Sequence, residues 1–302
     1  MPPYRLKSWI PLDKLNWSNL SLNPLAIDLL LKNPQQIDWV KLSVNPNPAA
    51  IDLLRKNPGR IHWGLLSRNP AAIDLLRKNA GQIEWSDLSR NPAAMDLLRA
   101  NPDRIDWSNL SSNPAAMDLL RENPGRIDWR MLSLNPAAMD LLRENPQQID
   151  WDFLPHNPNP AAIDLIRKNP GQINWFLSTN PTPAAIDLLR QHPEEINWNY
   201  LSSNPAAIDL LRENPDKINW RNLSENPAIF DDPEKAATKI QQGFRKSRGY
   251  AKWAYSPERL KSQGYFENNM DFGKRIKRKS NITYSKMSLK TIDRLIKLVQ
   301  KI

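Results

Sequence analysis

Cysteine is absent from the 302 residues. That excludes disulfides and thiolate metal sites, and leaves no mark of an oxidising compartment. Histidine occurs 3 times. His62, His156 and His192 stand at unrelated positions, with no spacing that suggests a metal site or a catalytic dyad. The chain has no Gly-rich phosphate loop and no nucleophile elbow. It also has no apolar run approaching the roughly 18 residues that a bilayer span requires. The opening "MPPYRLKSWIPLDKL" lacks the apolar core of a signal peptide. The expectation is a soluble intracellular protein of cytoplasm or nucleus, without catalytic, cofactor or metal site.

Proline is abundant instead, at 27 residues, a density that usually marks an extended chain. Yet 40% of residues are hydrophobic, 12 are Trp and only 9 are Gly, which favours a packed fold. The net charge of +10 divides unevenly: residues 1–230 carry 24 Lys and Arg against 25 Asp and Glu, and residues 231–302 carry 18 against 7. The basicity belongs to the last quarter of the chain.

Self-similarity organises the rest. From Trp17 to Trp220, ten tryptophans (17, 39, 63, 85, 107, 129, 151, 175, 198 and 220) are separated by 22, 24, 22, 22, 22, 22, 24, 23 and 22 residues. The repeating pattern is N-P-A-A-[IM]-D-L-L-R-x-N-P-x-x-I-[DN]-W-x-x-L-S-x. Asn is a good helix N-cap and Pro suits the first helical position, so the prolines start helices. In "PAAIDLLRK" both Ala, the Ile and both Leu fall on one face, with Asp, Arg and Lys opposite. The next Asn-Pro ends that helix. In "IDWSNLS" the Asp or Asn before Trp is a second cap, and Ile105 with Leu110 has the spacing of a hydrophobic staple. His62 and Glu84 hold this cap position in two repeats.

Helices this short are marginal alone, so stacking must supply the stability. The predicted fold is all-α: an α-solenoid of about ten 22-residue two-helix repeats over residues 1–230. Layers about 8–10 Å apart would give a rod on the order of 90 Å long. An amphipathic helix at 231–256 and a basic tail at 257–302 ending in a further amphipathic helix follow.

The motif "I-[DN]-W-x-x-L-S-x-N-P-x-A-I-x-L-L-x-x-N-P", spanning residues 11–230, resembles short tandem repeats of uncharacterised proteins of giant nucleocytoplasmic DNA viruses. The resemblance implies a virus-encoded protein acting inside an infected cell, and implies no activity.

Within the repeat, the recurrent aspartates could be acid/base groups or metal ligands. Asp52 with Arg55 and Asp118 with Arg121 have the spacing of helix-surface ion pairs, and a structural charge ladder is the preferred reading. The tryptophans could stack bases or sugars; their recurrence at a stapling position favours buried core. The variable positions Val40, Lys41, Leu65, Met131, Phe153, Phe176 and Tyr200 are mixed and partly apolar, suited to a protein partner more than to phosphate, with half-buried packing as the alternative. Three repeats carry two extra residues, "VNPNPAA" at 44, "HNPNPAA" at 156 and "TNPTPAA" at 179. Insertions in solenoids map to loops on one edge, so residues 155–183 are the predicted binding edge.

In the tail, Ala236, Ala237, Ile240 and Phe244 share a helical stripe among basic residues. "KIQQGFRKSRGY" resembles the first half of an IQ motif: Ile240, Gln241 and Arg245 match, while Lys246 and Tyr250 depart from it. The resemblance implies a calmodulin-like partner held by Ile240, Gln241, Phe244 and Arg245; a helix capping the solenoid is the alternative. Lys274, Arg275, Lys277, Arg278 and Lys279 form a basic patch that can be a nuclear import signal, a nucleic-acid or anionic-lipid contact, or a solvated linker. The terminal stripe Leu289, Ile292, Leu295, Ile296, Val299 and Ile302 can lie on a membrane, pair with a partner helix or fold back.

The function expected from these features is a non-enzymatic scaffold or adaptor for protein–protein interaction. The alternative is a nucleic-acid-associated or virion structural protein acting through its basic tail.

Overall fold

The computed structural model describes residues 4–231. Ile240, Gln241, Phe244, Arg245 and the basic patch at Lys274, Arg275, Lys277, Arg278 and Lys279 lie outside the described residues.

The described chain is an all-α repeat solenoid. A regular repeat runs through a 3-10 turn at Pro102–Arg104, a short helix at Trp107–Ser111, a second 3-10 turn at Pro114–Ala116 and a helix at Met117–Glu122. The first of these helices is called the Trp helix below and the second the Leu helix. Asp106 caps the Trp helix by accepting the Asn109 amide, and His62 does the same for Leu65 through Nδ1. In the Leu helix Pro48–Lys56, Ala50, Ile51 and Leu54 are buried while Asp52, Arg55 and Lys56 are exposed, as the helical projection requires.

The two Asn-Pro pairs of each repeat do different work. Asn123 ends a Leu helix, its carboxamide donating to the Leu119 carbonyl four residues back. Asn113, by contrast, is fully buried between repeats. Its Oδ1 caps Ala115, and its Nδ2 donates to the carbonyls of Ser89 and Asn91 in the preceding repeat at 3.0 and 3.1 Å. All its polar atoms are satisfied, which burial demands. A buried serine adds a second ladder: Ser111 Oγ donates to the Trp107 carbonyl and accepts the Asp128 amide of the next repeat at 3.0 Å.

Both ladders run past the ends of the array into each other. The Asn16 amide donates to Ser224 Oγ at 2.8 Å, and Asn23 Nδ2 donates to the carbonyls of Ser224 and Asn226 at 3.2 and 3.0 Å. Lys14 lies over the Trp220 ring at 4.9 Å, as Arg126 lies over Trp107 at 5.1 Å. The first repeat thus follows the tenth with the contacts by which each repeat follows its predecessor. Residues 4–231 form a closed ring, and the open rod expected from the repeat pattern is corrected.

The tenth repeat is built from both chain ends. Trp220–Leu223 is its Trp helix, but no Leu helix follows among the described residues. Instead β1 (Arg5–Leu6) pairs antiparallel with β2 (Phe230–Asp231), the Lys7 amide donates to the Ile229 carbonyl, and Lys7 pairs with Asp231 at 2.8 Å. Ile10, Leu15, Ile229 and Phe230 are buried there and continue the apolar core.

Among the described residues, no helix is long and apolar enough to cross a membrane.

A variable inner face with an aromatic sector

In the regular repeats, neighbouring Trp helices approach one another more closely than neighbouring Leu helices do. In a closed ring the layer with the shorter step is the inner one, so the Trp helices line the inside. Within a Trp helix the Leu three residues after Trp is buried, as at Leu110 and Leu132. The positions one, two and five residues after Trp lie on the opposite side of the helix, toward the ring centre. On this side Asn19, Lys41, Asn199, Tyr200, Arg221, Asn222 and Glu225, drawn from four consecutive repeats across the closure, line one concavity of about 510 Å³. With ten steps of about 8–10 Å and helices about 10–12 Å thick, the opening is about 15–20 Å across, room for an extended peptide or one helix.

The variable positions that follow each Trp therefore face inward, whereas those at the ends of the Leu helices, such as Lys56, Ala100 and Glu122, are exposed elsewhere. Val40 and Tyr200 are exposed there at 48% and 45%, and Lys41, Leu65, Met131, Phe153 and Phe176 are half-buried. The recurring pattern of the repeat builds the core, the caps and the two ladders, and leaves its Asp and Arg, as at Asp52 and Arg55, on the exposed face of the Leu helix.

The inner face is chemically uneven. From the third to the fifth repeat it carries polar pairs: Arg68 pairs with Asp87 at 3.2 Å, and Arg90 Nε donates to Asn109 Oδ1 at 2.6 Å. Beyond Met131 it becomes aromatic. Arg130 lies over the Phe153 ring at 4.2 Å, His156 contacts Phe153 and Phe176 at 6.4 and 5.0 Å between centroids, and Trp175 stacks on Tyr200 at 5.3 Å. Phe176 and Trp175, 3.8 Å apart, join the two halves. The aromatic stripe spans three repeats and runs into the polar cavity through Tyr200.

Two local departures from the pattern create this sector. Between Trp175 and Leu177 there is one residue where other repeats have two, so Trp175–Thr179 winds as a 3-10 helix and Asn174 is more extended than the other caps. Trp175 is thereby turned out to 38% exposure, whereas Trp107 and Trp129 stay half-buried against the core. One repeat earlier, Pro155 occupies the ladder serine's place, and the segment after Trp151 forms turns in place of a regular helix before Leu154–His156.

His156 is held below its ordinary pKa by burial and is neutral near pH 7. Its Nδ1 lies 2.6 Å from Thr179 Oγ1, whose proton goes to the Phe176 carbonyl. Nδ1 is therefore the donor to the threonine, and Nε2 carries no proton. At the polar end, burial pushes the Glu225 carboxyl up, while Lys41 and Arg221 oppose the shift.

The doubled prolines form no projecting loops, which corrects that part of the expectation, while residues 155–183 include His156, Trp175 and Phe176 of the aromatic sector. The extra residues lengthen the Leu helices to Pro48–Lys56, Pro160–Lys168 and Pro183–Gln191. The added Asn47 and Asn159 cap these helices and donate to Pro24 and Pro136 carbonyls of the preceding repeat at 2.7 and 2.8 Å. Asp52, Asp74, Asp96, Asp140 and Asp164 join surface ion pairs, as in Asp52 with Arg55 at 2.7 Å, whereas Asp118 and Arg121, at the same spacing, do not pair. The tryptophans expected as buried core are half-buried and pack against it. Among the described residues no group of three or more His, Asp or Glu side chains is placed to hold a metal ion.

Comparison of the chain with protein-family models, with curated proteins and with solved structures finds no match.

Proposed function

We propose that this chain is a non-enzymatic ring scaffold that holds a protein partner on its inner face. One observation carries the reading: the variable positions that follow each Trp share one concave surface of mixed chemistry, drawn from consecutive repeats. A surface of mixed apolar, carboxamide and charged groups with an aromatic sector suits a protein ligand. The giant-virus repeat resemblance supports a virus-encoded adaptor, and the IQ-like segment at Ile240, Gln241, Phe244 and Arg245 supports a second, calmodulin-like partner. Two surfaces on one chain would raise the effective concentration of their ligands for each other.

The test places a photo-crosslinking amino acid at Val40 on the inner face and, separately, at Leu31 on a Leu helix, in the full chain expressed in cells. Protein adducts from position 40 and none from position 31 are expected. Adducts only from position 31 would overturn the reading.

The charge excess of residues 231–302 favours a second reading, a nucleic-acid-associated or virion structural protein acting through its tail. Filter binding across a salt series separates the two, because a DNA-binding tail gives a steep salt slope. That slope should vanish when Lys274, Arg275, Lys277, Arg278 and Lys279 are changed to Gln.

A further inference from the structure

Every junction in the ring but one is crossed by the chain itself. The Leu helix Met117–Glu122, for example, runs through Asn123 and the turn Pro124–Arg126 directly into the next Trp helix, Trp129–Ser133. Layers joined so closely cannot part unless the turn between them unwinds. The junction between the tenth repeat and the first has no such link. It carries the two ladders, and Asn19 Nδ2 adds bonds to the Arg221 carbonyl at 2.8 Å and to Glu225 Oε1 at 2.7 Å. Beyond these, among the described residues, it is held by β1 and β2, two residues each, and by the solvent-facing Lys7–Asp231 pair. A two-stranded ladder this short is marginal by itself, and an exposed ion pair adds little.

Opening at this junction requires no repeat to unfold. In a stack where each repeat contacts only its neighbours, a gap at one place is shared out as a small turn at each of the others. The polar concavity straddles the same junction: Asn199, Tyr200, Arg221 and Glu225 line it from one side, Asn19 and Lys41 from the other. A partner seated there touches both sides at once, so it binds the closed ring better than the open one and shifts the population toward closure.

We infer that the ring opens reversibly at the β1–β2 seam, as a gate: the first and tenth repeats part as intact layers while the linked junctions stay closed. The gate lets the ring close around a polypeptide that has no free end within reach, with the concavity as the latch. That use of the gate rests on the scaffold reading; the opening itself does not.

The ring carries its own standard for the test. The amide before Trp donates to the ladder serine of the preceding repeat, from Asn16 to Ser224 across the seam at 2.8 Å, and from Asp106 to Ser89 and Asp128 to Ser111 across linked junctions at 3.0 Å. Native-state hydrogen exchange of the full chain, resolved by residue, therefore compares one bond in two settings. The protection factor at Asn16 should lie at least about tenfold below those at Asp106 and Asp128, because an open seam exposes it without unfolding. Leu20 bonds to the Asn16 carbonyl inside its own repeat, as Leu110 does to Asp106, and the two should be protected alike. Equal protection at Asn16 and Asp128 would overturn the gate. A loss at Leu20 as large as that at Asn16 would also overturn it, because the chain end then unwinds instead of swinging away. In Arg5→Cys with Asp231→Cys, oxidation should raise Asn16 to the level of Asp128, and reduction should return it. No disulfide, or one that leaves exchange at Asn16 unchanged, would sink the inference. None of these readouts involves a partner, so a failed gate leaves the scaffold reading to its own crosslinking test at position 40.

Discussion

Asn23 donates a hydrogen bond to the carbonyl of Asn226, 203 positions away, at 3.0 Å, and Asn45 makes the same bond to Asn23 at 3.2 Å. The closing contact is one more rung of the ladder. It is the local signature of a ring, and it can be tested without imaging the ring.

Arg5 and Asp231 face each other across the two-stranded ladder, and opposed Cα atoms in such a pair lie within disulfide range. In a chain with no other cysteine, Arg5→Cys with Asp231→Cys should oxidise to an intramolecular disulfide, detected by mass and by thiol titration. A loop this long predicts stabilisation of up to about 4–5 kcal/mol. Free thiols after oxidation, or disulfide-linked dimers only, would restore the open rod.

Asn113→Ala strips partners from the Ser89 and Asn91 carbonyls and the Ala115 amide in a buried interface. The expected loss in urea unfolding is about 2–3 kcal/mol, the cost of stranding buried polar groups. Asn123→Ala, which removes one bond to Leu119 at a helix end, should cost about 1 kcal/mol. Equal losses would mean that the buried ladder adds nothing beyond local capping.

Trp107 lies half-buried under Arg126, whereas Trp175 is the exposed member of the series. Trp107→Ala should destabilise by about 2–3 kcal/mol, below the value for a fully buried Trp. Trp175→Ala should cost under about 1 kcal/mol, as surface substitutions do. The opposite ranking in denaturant melts would place Trp175 in the core.

Burial lowers the pKa of His156 in the folded ring, so the unfolded chain binds more protons as pH falls through the ordinary histidine value of 6.5. The stability this neutral histidine contributes is present above that value and is lost as pH drops toward its folded pKa. A urea midpoint falling between pH 7 and pH 5 is expected, and His156→Phe should flatten that slope. An unchanged slope in the variant would assign the titration to other groups.

The helix pairs were legible because their determinants are local. Period, N-cap chemistry and the Asn-Pro stop sit within a few residues of what they control, and the Asp52–Arg55 pair forms at its expected spacing, although Asp118 and Arg121 do not pair at theirs. Closure was not legible, because it depends on a small rotation between neighbours that accumulates over ten steps. Asn113 was read as a cap, which it is, but the destination of its Nδ2 protons lies in another repeat. The aromatic sector left one trace: the 23-residue interval from Trp175 to Trp198 combines the two-residue Pro insertion with a one-residue deletion after Trp175. That interval gave no direction for the indole, which follows from the 3-10 winding of Trp175–Thr179.

The seam between β1 and β2 also fixes the copy number. An open array can gain or lose a layer at its end and keep every other interface as it was. Here each interface must turn through one tenth of a circle, and an eleventh copy would force a slightly different angle on all the others at once, stretching every rung of both ladders. Duplication of a single module is therefore a global perturbation of this protein, felt as strongly opposite the insertion as beside it.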